Sequence, residues 1–122
     1  MNITISHKGA SKVAVIESEG IVIGNAQDAL DLMASVQYTE DCHKLLIAKA
    51  NIAEDFFELR TKLAGEILQK YTNYRVKLAI VGDFSGYDSK SLKDFIYECN
   101  QGKQFFFLND KDAALEALHG VD

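Results

Sequence analysis

No proline occurs in this chain, which excludes a proline-rich linker and a native cis-prolyl turn. Cysteine is scarce: Cys42 and Cys99 stand alone, form no C-x-x-C pair, and read as small apolar residues on packed elements. Free thiols point to a reducing compartment. Positive charge is in deficit, with 13 lysines and arginines against 18 acids and a formal charge of −5. That balance argues against a nucleic-acid backbone as the main partner. Apolar runs are short, and none reaches the roughly 18 residues a membrane span needs. The start of the sequence, M-N-I-T-I-S-H-K-G, lacks the basic and apolar segments of a signal peptide. The expectation is a cytoplasmic protein with neither a membrane nor nucleic acid as partner. No internal repeat, low-complexity tract or domain boundary is visible. A length of 122 residues suffices to bury roughly two-thirds of the unfolded surface in one core, so 1–122 reads as a single domain.

Signatures of chemistry are also few. His7, His43 and His119 are scattered, and Cys42-His43 alone cannot complete a zinc site. Gly82-Asp83-Phe84-Ser85-Gly86 contains glycines but has neither the spacing nor the lysine of a phosphate-binding loop. Neither a nucleophile elbow nor a Ser-His-Asp or Cys-His spacing can be defended. No cofactor and no metal centre is expected, and the balance lies against an enzyme.

What is present is a regular alternation of strands and helices. Ile3 and Ile5 alternate with polar neighbours, Lys8-Gly9-Ala10-Ser11 supplies a turn, and the denser run Val13 to Ile16 reads as the inner partner of a hairpin. Gly20 to Ile23 extends the sheet after a bend. Asn25, with Asp28 three residues on, marks a helix start, with an apolar face read through Ala26, Ala29, Leu30, Met33 and Gln37. Lys44 to Lys49 reads as an interior parallel strand. From Thr61, the residues Ala64, Ile67, Leu68 and Tyr71 form one helical stripe, and Val76 to Val81 is short and apolar enough for a buried strand. Gly65 inside that helix costs about 1 kcal/mol against alanine, and close approach of helix to sheet is the expected reason. Leu92, Phe95, Ile96 and Cys99 mark a third helix starting near Ser89, Gln104 to Leu108 a last strand, and Asn109 or Asp110 the cap of a last helix near Asp110.

The reading is an α/β fold of order β-β-α-β-α-β-α-β-α. It has a mixed five-stranded sheet, an antiparallel amino-terminal edge strand, and later strands in sequential order joined by right-handed crossovers. Val15, Leu30, Ile47, Ile67, Leu78, Ile80, Phe95 and Phe106 are the expected core.

Two places are candidates for function. In open parallel sheets, ligands bind beyond the carboxyl ends of the strands. That rim would carry Asn51, Glu54, Asp55, Asp83 and Asp110, and the carboxylates of Glu54, Asp55, Asp83 and Asp110 would suit magnesium; helix capping and loop solvation explain the same residues more cheaply. The other candidate is Phe56 to Thr61. On an extended chain adjacent side chains point opposite ways, so Phe56 and Phe57 would not share one core face, and with Glu58, Arg60 and Thr61 they offer a partner-binding surface. Equally, one ring fills the core, the other covers the helix end, and Thr61 caps. By the same alternation Phe105, Phe106 and Phe107 require cover on two faces, and a homodimer would supply it if every helix packed on one.

This element order resembles the STAS fold, best known from bacterial anti-sigma-factor antagonists. More specifically, A-L-D-L-M-A, N-I-A-E-D-F-F-E-L, L-A-G-E-I-L-Q-K, N-Y-R-V-K-L-A-I-V-G-D-F and S-L-K-D-F-I-Y-E resemble an uncharacterised bacterial family, the domain of unknown function forty-one-eighty. STAS antagonists carry an aspartate-serine-x-glycine motif at the helix start after the third strand, where a partner kinase phosphorylates the hydroxyl. The corresponding stretch here, Glu58 to Gly65, lacks the aspartate-serine pair and has Thr61 as its one hydroxyl. The resemblance implies a non-enzymatic regulatory or protein-interaction domain with an unknown protein partner. The alternative is a small-ligand or metal-dependent enzyme at the strand ends around Asp83.

Overall fold

The sheet begins with a hairpin. In the computed structural model, which describes residues 1–122, β1 (Asn2–Lys8) and β2 (Ser11–Glu17) pair antiparallel from Asn2↔Glu17 to Lys8↔Ser11. Gly9 takes the positive-φ turn position, at 61°, that side chains resist. β2 then pairs in parallel with β3 (Lys44–Ala48), β3 with β4 (Lys77–Val81), and β4 with β5 (Phe105–Leu108), so strand order follows sequence. Four helices follow β2 to β5 in turn: α1 (Ala26–Glu40), α2 (Leu63–Asn73), α3 (Lys90–Gln101) and α4 (Lys111–His119). Asn25, Ser89 and Asp110 cap α1, α3 and α4, each accepting a backbone N–H of the first turn with its side chain. Gly20 to Ile23 adds no strand; Ile23 makes one parallel bridge with Ile52. No helix is long and apolar enough to cross a membrane.

Alternate strand residues serve two cores. Ala14, Ile16, Leu45, Ile47, Leu78, Ile80 and Phe107 pack under α1, α2 and α3, while Val13, Val15, Leu46, Ala79 and Phe106 pack with Ala114 and Leu118 of α4. Crossovers of one hand between sequential parallel strands keep their helices on one face. α4 has no following strand to reach and lies on the other face. The second face is thus covered from within the chain, and the three phenylalanines create no need for a second copy.

Val15, Ile47, Ile67, Leu78, Ile80 and Phe106 are buried, whereas Leu30 and Phe95 are half-buried at the margin of the same core. The stripe expected on α1 is corrected by one step around the helix: Ala29 and Met33 are buried as expected, joined by Leu32 and Val36, while Ala26, Leu30 and Gln37 are half-buried. Its apolar residues span a wide arc, so both stripes satisfy helical spacing, and packing against the sheet and α2 decides between them. Leu78 is 1% exposed in the middle of the sheet, and Leu78→Ala should lower unfolding free energy by about 2–5 kcal/mol, read by denaturant titration. The reason expected for Gly65 fails: the residue is exposed and an added Cβ would meet nothing within 4 Å. Nothing in the structure explains this glycine, and Gly65→Ala should stabilise the protein by about 1 kcal/mol in the same titration.

Candidate functional site

Between β3 and α2 the chain makes three short 3-10 turns, Lys49–Asn51, Glu54–Phe57 and Leu59–Thr61. Asn51 is the one buried polar residue, and its Nδ2 donates to the carbonyls of Ser18 and Gly20, both at 2.8 Å. It ties down the loop before α1.

The second turn corrects the expectation for Phe56 and Phe57. A 3-10 helix rotates about 120° per residue rather than the half-turn of a strand, so both rings reach the same core, 1% and 3% exposed. They meet edge to face at 5.0 Å between centroids. Phe57 also stacks on Tyr87 at 5.6 Å, and the Lys49 ammonium lies 5.0 Å from the Tyr87 ring and 5.7 Å from Phe57. Gly82 makes room for this lysine, because a Cβ there would sit 2.5 Å from Lys49 Cβ. Neither phenylalanine is itself a surface; together they form the base of one.

Three of the four acids of the rim are engaged separately. Asp83 Oδ1 accepts from Ser85 Oγ at 2.6 Å and Ser85 N at 2.9 Å, and these bonds, helped by Lys49, hold its carboxyl below the usual carboxylate range. Glu54 accepts the Tyr87 hydroxyl at 2.8 Å, and burial together with that carboxylate pushes the phenol up. Asp110 caps α4. No three His, Cys, Asp or Glu side chains gather in a metal-holding group. The oxygen cage considered for Glu54, Asp55, Asp83 and Asp110 is therefore not assembled.

The third turn stands outside this base. Glu58, Arg60, Thr61 and Lys62 are exposed, and Leu59 is half-buried beneath them. Thr61 Oγ1 lies 2.7 Å from the Asp55 carbonyl and 2.8 Å from that of Glu58, so its one proton is shared between the two. The same oxygen accepts from Leu63 N at 3.3 Å. Arg60 Nε bonds Glu58 Oε2 at 3.1 Å in solvent. Lys62 adopts φ 66° and precedes α2 without a side-chain cap. A left-handed conformation costs a non-glycine residue on the order of 1–2 kcal/mol, so the hydrogen bonds around it hold a strained shape.

The histidines, in contrast, are not scattered. His7, His43 and His119 end β1, precede β3 and end α4, which places all three at the amino end of the parallel strands. Hydrogen bonds there join Ser6 and Ser11 to His119 across more than a hundred residues of sequence. The one sequence signal was the lysine near the start of successive parallel strands, Lys12, Lys44 and Lys77.

Among known families, the model of one described as a domain of unknown function, DUF4180, fits residues 8–118. No curated protein and no solved structure shows a significant match.

Proposed function

The chain belongs to the DUF4180 family, and we propose that it works as a STAS-like, cytoplasmic regulatory domain that binds a protein partner through the turn from Glu58 to Lys62. One observation carries this reading: an exposed polar turn is held in a strained shape over a buried aromatic base. A surface fixed in advance loses little conformational freedom on binding, and strain of this kind concentrates where a chain is used. The alternative site around Asp83 has less support, because the rings of Phe57 and Tyr87 and the Lys49 side chain pack together beside it. The two cysteines are free, which suits a reducing compartment.

Thr61 offers a means of control. A phosphoryl group on its oxygen would remove the donor that ties the turn to Asp55 and Glu58 and would set a dianion beside two carbonyl oxygens. The turn would open. The test is partner capture from the native cell by wild type, Arg60→Glu, Thr61→Ala and Thr61→Glu, each shown to be folded by its melting curve. Wild type should retain one common protein, Thr61→Ala, which loses the same hydrogen bonds, should capture less of it, and Arg60→Glu and Thr61→Glu should lose it by about tenfold or more. Equal capture by all four would refute the reading.

A further inference from the structure

Parallel pairing sets the starts of the inner strands side by side, and Lys44 lies directly opposite Lys77. α4 runs back along the sheet and delivers His119 to the same edge. There His119 Nδ1 lies 2.8 Å from Ser11 Oγ and its Nε2 lies 3.0 Å from Ser6 Oγ. Lys44 Nζ donates to Ser11 Oγ at 3.0 Å and to the Val121 carbonyl. The cluster opens into a groove of about 560 Å³, within the size range of small-ligand sites.

The proton positions follow from what each group can do. An ammonium only donates, so Ser11 accepts from Lys44, and the Ser11 proton has His119 Nδ1 as its one acceptor within reach. Nε2–H then donates to Ser6. Burial, followed by the charges of Lys44, Lys8 and His7, pushes the His119 pKa down, which favours the neutral imidazole this arrangement requires. Lys8, Lys12, Lys44 and His43 line the groove against Asp41 and Asp122. From β4, Lys77 adds to the positive field at Lys44, and Asp122 opposes it. A cationic groove has formed in a chain with a formal charge of −5.

We propose that this groove binds a small molecule through a dianionic phosphoryl or sulfuryl group, seated on Lys44, Ser11 and His119, and that binding brings a proton onto His119. A dianion offsets the repulsion from Lys44, Lys8 and His7 that keeps the imidazole neutral. Once Nδ1 is protonated it donates to Ser11. Ser11 then accepts from two cations, and its own proton turns to the ligand as a further donor. Proton and anion favour each other's binding, as linkage requires. The site lies at the opposite end of the sheet from the Glu58–Lys62 turn and does not depend on that turn's role.

Sulfate is the probe, because it stays dianionic across the range in which histidine titrates. The histidine ring signals are followed by NMR during sulfate titration at fixed ionic strength, from about pH 5.5 to about pH 8. His119 should shift saturably and its pKa should rise by about one unit, with sulfate bound about tenfold more tightly at the acid end. Lys44→Met should abolish the shift, as should Lys8→Met combined with Lys12→Met, which leaves Ser11, Lys44 and His119 untouched. His119→Gln should keep weakened binding and lose its pH dependence. Glucose 6-phosphate should compete with sulfate. A linear, non-saturating response, an affinity unchanged across that pH range, or full binding by the lysine variants would overturn the proposal.

Discussion

Phe56→Ala should lower the stability of the fold by about 3–5 kcal/mol, a large share of the roughly 5–15 kcal/mol that holds a domain of this size together. The ring is 1% exposed, meets Phe57 edge to face and lies 6.3 Å from Phe107 of β5. Its removal leaves a void where α2, the sheet and the 3-10 turns join. Denaturant titration reads the loss, and a cost below about 1 kcal/mol would mean that the ring is not in the core. The result bears on function as well: loss of a partner by this variant would report a weakened base, so the informative substitutions lie above it, at Arg60 and Thr61.

Tyr71→Ala should cost about as much, on the order of 3–5 kcal/mol. Tyr71 is fully buried, and its hydroxyl donates to the Ala29 carbonyl at 2.7 Å, the bond that locks α2 to α1. Tyr71→Phe keeps the ring and should lose only about 0.5–1.5 kcal/mol, the net worth of one hydrogen bond. Alkali gives a third reading. Burial pushes the phenol above its ordinary value of 10.0, so the unfolded chain releases this proton first. Stability from this group is fully present below pH 10.0 and is lost as pH rises above it toward the folded value. Wild type should therefore destabilise more steeply than Tyr71→Phe in that alkaline range, and parallel curves would show that Tyr71 is not the group responsible.

Sequence pattern carried most of the architecture. The stripe Ala64, Ile67, Leu68 and Tyr71 is the buried face of α2, and short polar side chains at Asn25, Ser89 and Asp110 marked three helix starts by the donors they satisfy. Periodicity failed where two periods were compatible with the same residues. α1 has apolar residues along two neighbouring stripes, and Phe56-Phe57 separates under strand geometry but converges under 3-10 geometry. The placement of α4 was not legible because crossover handedness constrains only helices that lead to another strand. The rim acids were found where expected, yet spacing does not say which neighbour each will bond. The Ser6, Ser11, Lys44 and His119 cluster depends on the return of α4 across the sheet, a contact between distant segments with no local signature.

On the proposed function, the strained turn beside the aromatic base is the surface a partner meets. Amide hydrogen exchange on the captured complex, compared with the free protein, tests it most directly. Binding should slow exchange of the amides from Leu59 to Leu63 and leave the exposed faces around Tyr38 and Tyr97 unchanged. Protection confined to those faces, with the turn exchanging as fast as in the free protein, would contradict the claim.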